Sequence, residues 1–160
     1  MLAVVPPLLA VDLGLRAGLA IYGGDGRLRS YTSRNFGTRA RLKQGIPGVL
    51  AAIPDLEVVV VEGDRIMGEW WQKAALRLGA RTMFVSADGW RSQLLLPRER
   101  RSGPDAKRHA IEMSRQVITW SEAPEPTSLK DDAAEAILIG LWGVLTVGWL
   151  PKLPREFPHR

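Results

Sequence analysis

The chain has 160 residues, the length of one domain, and it contains no cysteine. Disulfides, thiolate zinc sites and a cysteine nucleophile are therefore excluded, and a reducing compartment is expected. Lysine and arginine number 22 against 17 aspartates and glutamates, a formal net charge of +5. This balance favours an anionic partner such as nucleic acid, with a solvated basic surface as the alternative.

The composition also disfavours two further classes of site. The two histidines, His109 and His159, are too few to build a histidine metal site, so a bound metal would be a hard cation held by oxygen. The longest apolar stretch, residues 136–150, is shorter than the roughly 20 residues of a membrane span. Residues 1–7 lack the basic residues of a secretory signal. We therefore expect neither a membrane anchor nor secretion.

The first part of the chain predicts an antiparallel meander. Residues 8–14 (LLAVDLG) and 18–22 (GLAIY) are short apolar runs typical of buried strands. The glycine-rich turn at 23–26 accepts positive φ angles and closes a hairpin. Residues 27–34 alternate basic and other side chains, which indicates a third, half-exposed strand.

The middle of the chain alternates helices and strands. Residues 38–53 have a helical pattern that Gly45, Pro47 and Gly48 are expected to interrupt. Residues 56–61 (LEVVVV) predict a parallel strand that is buried on both faces. The elements predicted next are a helix at 68–78, a strand at 81–86, a short helix at 89–96, and a helix at 105–120 that starts after Pro104.

The last predicted helix follows a proline-containing loop at 122–128. Ser128 is expected to cap this helix, with Asp131 three residues on as in a capping box. The order of elements predicts an α/β fold with a mixed five-stranded sheet, in which an antiparallel meander precedes parallel strands and helices cover both faces. Residues 1–150 are assigned to this domain, and residues 151–160 to an irregular, proline-containing tail.

Four carboxylates lie at unusual positions. Asp12 is inside the first apolar strand, where burying a charge is costly unless it is paired or bound to metal. Glu62 directly follows the most apolar strand. Asp132 and Glu135 are three residues apart near the start of the last helix, so they share a helical face. Each acid alone has an ordinary alternative, since acids favour the positive end of a helix and strand ends are often solvated.

Taken together, these acids predict a metal site. Strand ends and a helix N-terminus can converge at one edge of such a sheet, where clustered carboxylates repel one another and raise one another's pKa. Divalent cations remove that cost. Two ions about 3.5–4 Å apart can clamp the attacking and leaving oxygens of a phosphodiester.

Three segments, in order, resemble the motifs of the RuvC-type Holliday junction resolvases. They are VDLGLRAGLAIY at 11–22, VVVVEG at 58–63 and KDDAAEAILIG at 130–140. The resemblance spans nearly the whole chain and implies an RNase H-like fold. It also implies a homodimer that nicks four-way DNA junctions symmetrically and leaves 5′ phosphates.

The same resemblance places Asp12, Glu62, Asp132 and Glu135 on the catalytic carboxylates of the family. Those carboxylates bind two Mg²⁺ ions, with Mn²⁺ as the alternative. The sequence departs from the family at two points among these ligands. The family often has aspartate at the position of Glu135, whose longer side chain would reach a metal through water. Asp131 is an extra acid that would replace Asp132 in a shifted register.

Basic residues follow the fifth predicted strand. Arg91 and Lys107 match the basic residue that the family carries after this strand and its lysine near the start of the next helix. The resemblance therefore implies that both contact DNA and that Lys107 is catalytic, since cations beside a metal site hold the scissile phosphate. A solvated basic loop is the alternative. The neighbouring residues assigned to backbone phosphates are Arg98, Arg100, Arg101 and Arg108.

Two more arginines, Arg16 and Arg65, closely follow the first and second acids and are assigned to phosphate contacts. Bacterial members of the family carry an aromatic wedge at the position of Arg65, so the residue that opens the junction stays unassigned. The nearest aromatic residues, Trp70 and Trp71, are adjacent and cannot share a helical face. We expect one in the core and the other on a base or in a dimer contact.

The sequence therefore predicts a structure-selective endonuclease that acts on four-way DNA junctions. Two alternatives stay open: a nuclease of the same fold that cuts RNA–DNA hybrids or general branched DNA, and a non-catalytic nucleic-acid-binding module. Actin-like ATPases also begin with an Asp-x-Gly motif before a hairpin, but 160 residues leave no room for their second lobe. The expected location is the cytoplasm of a bacterial or phage-infected cell, with an organellar stroma as the alternative.

Overall fold

Five strands and five helices follow one another in the predicted order within residues 6–157, which the computed structural model describes. The strands are β1 (Leu8–Asp12), β2 (Arg16–Tyr22), β3 (Leu28–Asn35), β4 (Val58–Glu62) and β5 (Arg81–Val85). The helices are α1 (Arg39–Ala51), α2 (Arg65–Arg77), α3 (Ala87–Leu94), α4 (Gly103–Ser121) and α5 (Asp131–Thr146), with a 3₁₀ turn at Pro97–Arg100. The expectations for the N-terminal residues 1–5, for His159 and for the end of the tail fall outside the described residues.

The strands form one mixed sheet in the order β3-β2-β1-β4-β5. The first three strands pair antiparallel, and β1, β4 and β5 pair in parallel. The predicted mixed five-stranded sheet is therefore confirmed. Because β1 and β4 are parallel neighbours at the centre of the sheet, their C-terminal ends lie side by side.

Alternate residues of the central strands pack on opposite faces of the sheet. Leu8 and Ala10 of β1 face a core that α3, α4 and α5 cover. Leu9 and Val11 face a second core that α1 and α2 cover. Helices on both faces are thus confirmed, as the uninterrupted apolar runs of β1 and β4 required.

The first helix, α1, is continuous, so the predicted interruption is wrong. Pro47 lies inside it and costs about 3 kcal/mol, because it removes a hydrogen bond and crowds the preceding turn. Burial of Leu42, Ile46 and Leu50 against the sheet offsets that cost. Tertiary packing has overridden local propensity in this helix.

Three helices begin earlier than predicted because polar side chains cap them. Asp64 accepts a hydrogen bond from the backbone of Met67 and starts α2 at Arg65 instead of residue 68. Ser86 and Ser102 cap α3 and α4 in the same way. Each cap satisfies a backbone N–H that the first helical turn leaves free.

The last helix, α5, lies across β1 and β2. It carries Asp132 and Glu135, two of the four acids predicted at the site. The predicted cap by Ser128 is wrong: the helix begins at Asp131, and its N-cap Lys130 forms no side-chain capping bond. Close packing requires Gly140, since a Cβ atom there would lie 2.3 Å from Cε2 of Tyr22. Neither α5 nor any other helix in residues 6–157 has the length and apolar character of a membrane span.

The predicted tail lies against α4 as far as it is described. The Phe157 side chain is buried, and its ring meets that of Trp120 edge-on at 5.8 Å between centroids. Residues 151–157 contain neither helix nor strand. The irregular segment therefore contributes an aromatic contact to the core on the α4 side of the sheet.

Candidate active site

Sheet register brings the first two predicted acids together. Asp12 and Glu62 are direct partners at the ends of the parallel strands β1 and β4. Side chains alternate along a strand, so Asp12 points to the same face as Leu8 and Ala10, which is the α5 face. Glu62 follows the same alternation in β4. Both carboxylates therefore lie at one edge of the sheet, beneath the start of α5.

The third acid, Glu135, comes from the second turn of α5. The helix reaches the sheet here because the residue opposite Asp12 is Gly18. A Cβ atom on Gly18 would lie 1.8 Å from the backbone oxygen of Asp132. Glycine at this position is thus what allows the N-terminal turns of α5 to approach the strand ends.

Asp12, Glu62 and Glu135 form a group of three half-buried carboxylates, here called the acidic trio. One oxygen from each lies within 4.8 Å of the others. Within residues 6–157, no other set of three acidic, histidine or cysteine side chains is so arranged. An all-oxygen donor set of this kind suits a hard divalent cation.

Burial and mutual repulsion disfavour the charged forms of the trio. Burial, followed by the charges of Glu135 and Glu62, raises the pKa of Asp12 from its ordinary 3.8 to about 8. Burial also raises the pKa of Glu62, although hydrogen bonding with Asp12 and the nearby Arg91 act in the opposite direction. A site that resists ionisation in this way gains most from a bound cation.

Arg91 supplies a positive charge to the trio from α3. Its Nη2 atom donates to Oε1 of Glu135 at 2.8 Å, and both side chains are largely buried. The neighbouring Trp90 is fully buried and anchors α3. The structure therefore places Arg91, which the sequence assigned to DNA contact, in an ion pair with a member of the trio.

Asp132 lies outside the trio, although the sequence assigns it to the same set of metal ligands. Its Oδ2 accepts a hydrogen bond of 2.8 Å from Oγ of Ser33 on β3, and its Oδ1 accepts one from the backbone of Ala133. Asp131 is exposed at the first position of α5. A hydrogen bond thus ties the C-terminal part of β3 to the first turn of α5.

Comparison with known proteins identifies the fold. No protein-family model matches this chain, and no curated protein sequence is significantly similar to it. Among solved structures, the yeast mitochondrial Holliday junction resolvase Ydc2 matches with a TM-score of 0.59 over 93% of this chain and 84% of that chain, at 13% sequence identity. The fold is RNase H-like. The fold expected from the three sequence motifs is thereby confirmed.

One predicted phosphate contact, Arg16, lies in a groove together with Asp132 at the start of α5. Arg16 is exposed at the start of β2 and lines an open groove of about 600 Å³. Lys130, Asp131 and Asp132, at the start of α5, line the same groove. A phosphate in this groove would meet the cations Arg16 and Lys130, close to the carboxylates of Asp131 and Asp132.

Arg65, which the sequence assigned to a phosphate contact, lies at the first position of α2. It is exposed at the start of α2, pairs weakly with Glu69 at 3.9 Å, and stacks on the Phe84 ring at 3.9 Å from its centroid. The neighbouring tryptophans separate as expected: Trp71 is buried in the core, and Trp70 is half-buried.

The remaining predicted cations lie on the loop and helix that follow α3. Arg98, Arg101 and Lys107 are exposed. Arg108 is exposed and pairs with Asp105 at 3.3 Å. Arg100 is half-buried, with its Nε 3.4 Å from the backbone oxygen of Leu95.

A buried acid holds this basic loop against α4. Glu99 is 7% exposed, and its Oε1 accepts from the backbone N–H of Leu96 at 2.9 Å. Its Oε2 lies 3.4 Å from Nδ1 of His109. The arginines on either side of Glu99 are thereby presented from a fixed turn.

Sequence analysis missed Ser33 and a second group of cations. Arg39 and Lys43 are one turn apart on α1, and Lys73 and Arg77 are one turn apart on α2. The sequence did contain a signal for these pairs, since two residues that are four apart lie on the same face of a helix. What the sequence did not show is that the two helices lie side by side, which joins the pairs into one surface.

Proposed function

We propose that this protein is a divalent-metal-dependent endonuclease that resolves four-way DNA junctions. The observation that carries the proposal is the acidic trio, three half-buried carboxylates at one edge of an RNase H-like sheet. The fold shared with a Holliday junction resolvase supports the choice of substrate. The excess of 22 cations over 17 acids supports a nucleic-acid partner.

The trio fits Mg²⁺, with Mn²⁺ as the alternative. All its donors are carboxylate oxygens, and the raised pKa of Asp12 reflects a cost that a cation would remove. We assign Asp12, Glu62 and Glu135 to the ions and propose Asp132, one turn before Glu135, as a further ligand. When bound, two such ions supply charge that balances the attacking and leaving oxygens of an in-line displacement.

The chain's own cations hold the substrate and the acids in place. Arg91 fixes the carboxylate of Glu135 through their ion pair. Arg16, exposed in the groove that Asp132 also lines, is suited to a phosphate of the cleaved strand. Lys107 is exposed on the first turns of α4, and we assign it to the reacting phosphate.

A homodimer is part of the proposal. A four-way junction has two-fold symmetry, and two active sites related by a two-fold axis can nick it at equivalent positions. Symmetric paired nicks that leave 5′ phosphates are therefore the expected products.

The test uses the purified protein with a labelled four-way DNA junction and Mg²⁺. Linear duplex and an RNA–DNA hybrid are run beside it, and so are two variants. Asp12→Asn removes one carboxylate of the trio. Asp88→Asn is the matched control, because Asp88 is an exposed acid that follows the neighbouring strand β5 and lies outside the trio.

We expect paired nicks in the junction with the unaltered protein and with Asp88→Asn, and none with Asp12→Asn while junction binding persists. Cleavage of the hybrid instead would move the substrate to RNA. Binding without cleavage by the unaltered protein would leave a non-catalytic module and reject the enzymatic proposal.

A further inference from the structure

The outer sides of α1 and α2 form a cationic groove on the face of the sheet opposite α5. Lys43, Lys73 and Arg77 line it, with the half-buried Trp70 between the two helices. Arg39 lies beside them at the first position of α1. We call these five residues the α1–α2 groove. No carboxylate is among its lining residues.

Trp70 holds the cations of α1 in place. The ammonium group of Lys43 lies 4.4 Å from the centroid of the Trp70 ring, and the guanidinium of Arg39 lies 5.5 Å from it. Contacts of this kind contribute about 0.5–1 kcal/mol at exposed sites. The ring is therefore covered by side chains of the chain itself, which leaves it poorly placed to stack on a base.

The four cations of the groove are exposed, and among residues 6–157 none of them forms an ion pair with an acid. They are Arg39, Lys43, Lys73 and Arg77. By contrast, two of the arginines that the sequence assigned to phosphate contacts are paired with acids: Arg65 with Glu69, and Arg108 with Asp105. Like charges held together without counter-charges repel one another. A polyanion would relieve that repulsion and release its own counterions.

The groove begins at the edge of the sheet that carries the acidic trio. α1 starts four residues after β3 ends at Asn35, and α2 starts three residues after Glu62. From Trp70 to Arg77 the groove runs seven residues along α2, or about 10 Å at about 1.5 Å per residue. That length matches about three successive phosphates of one strand, which are spaced by about 3.4 Å along the duplex.

We propose that the α1–α2 groove binds the phosphate backbone of a duplex arm of the same DNA that is cleaved at the trio. The inference rests on the proposed function and extends it by assigning a path for one arm. Recognition is by charge and carries no sequence preference, because phosphate contacts position a duplex without reading its bases. Lys73 and Arg77 contact the arm directly, and Trp70 acts as a positioning residue for Arg39 and Lys43.

The experiment compares two double variants that remove equal charge. Lys73→Ala with Arg77→Ala removes two cations of the groove. Lys152→Ala with Arg155→Ala removes two exposed cations of the tail, which lies on the α4 side of the sheet. Affinity for a four-way junction is measured at several salt concentrations in a chelator, so that nothing is cleaved, with linear duplex and single strand as competitors.

For the groove variant we expect weaker binding and a salt slope smaller in magnitude by about 1.8, which is about 0.9 for each of two lost phosphate contacts. The tail variant should keep the slope of the unaltered protein. Junction cleavage in Mg²⁺ should need a higher concentration of the groove variant than of the unaltered protein, because the variant binds the arm more weakly.

Four results would overturn the inference. A salt slope unchanged in the groove variant, with junction cleavage intact in the unaltered protein, would reject the groove and leave the proposed function standing. A loss confined to single-stranded DNA would indicate base stacking instead of a duplex arm. A change of oligomeric state in the groove variant, measured by light scattering, would indicate a contact between copies of the chain. Failure of the unaltered protein to bind any junction would reject the proposed function together with the groove.

Discussion

Asp12 and Glu62 face each other as direct partners of the parallel pair β1 and β4, so the backbone of the sheet itself fixes two carboxylates side by side. The third, Glu135, depends on where α5 docks. The site thus has a part set by strand register and a part set by helix packing. Substitutions that act on each part have different expected effects.

The pH dependence of metal stabilisation follows from the strand-end pair. The pKa of Asp12 is raised in the fold from 3.8 to about 8, so its stabilising contribution is full below about pH 4 and is lost as the pH rises through about 8. The raised pKa of Glu62 acts in the same direction. Mg²⁺ binds the ionised carboxylates, so we expect the increase in Tm that Mg²⁺ causes to grow with pH up to about 8.

Thermal unfolding at a series of pH values, in chelator and in Mg²⁺, measures this increase. The Asp12→Asn variant is neutral at every pH, so it should have a higher Tm than the unaltered protein in chelator at about pH 8 and respond weakly to Mg²⁺. An effect of Mg²⁺ on Tm that does not change with pH would contradict the coupling between ionisation and binding.

Removal of Arg91 is expected to destabilise the protein when metal is withheld. The Arg91 and Glu135 side chains are 21% and 15% exposed, so their pair lies between surface and buried ion pairs, and we expect Arg91→Ala to cost about 1–2 kcal/mol, or roughly 2–8 °C in Tm. Mg²⁺ should recover more Tm in this variant than in the unaltered protein, because both cations offset the same negative charge.

The matched control for Arg91→Ala is Arg108→Ala, which breaks the exposed pair with Asp105. We expect it to cost less than about 0.5 kcal/mol and to leave the response to Mg²⁺ unchanged. Equal losses of Tm in the two variants would mean that the Arg91–Glu135 pair has no special part in balancing the charge of the trio.

The sequence predicted the positions of Asp12 and Glu62 because a charge inside or directly after an apolar strand is costly unless the fold uses it. It predicted Glu135 through the shared helical face and the resemblance to a known motif. It did not predict the Arg91–Glu135 pair or the Ser33–Asp132 hydrogen bond, since both depend on how helices dock on the sheet. It also missed the continuity of α1, where burial outweighs the local effect of Pro47.

Asp132→Asn separates two roles of Asp132. An amide oxygen can still accept the hydrogen bond from Ser33, so the link between β3 and α5 should persist and Tm should change little. The lost charge should raise the Mg²⁺ concentration needed for half-maximal junction cleavage. Ser33→Ala is the comparison, because it removes the hydrogen bond and keeps the carboxylate. Normal metal dependence in Asp132→Asn would show that Asp132 is a structural link and not a ligand.

Gly18→Ala tests whether the docking of α5 controls the trio from a distance. A Cβ atom at residue 18 would lie 1.8 Å from the backbone oxygen of Asp132, so α5 must move away from the strand ends and carry Glu135 with it. We expect a lower Tm, by an overpacking cost of about 1–3 kcal/mol, together with weaker Mg²⁺ binding in a titration. Gly48→Ala is the control: Gly48 is an exposed position of α1 with no atom within 4 Å of the added Cβ, and the change should stabilise the protein by about 0.5–1 kcal/mol. If Gly18→Ala lowers Tm but leaves Mg²⁺ affinity unchanged, the position of Glu135 does not depend on this approach, and the trio is held by Arg91 and the strand ends alone.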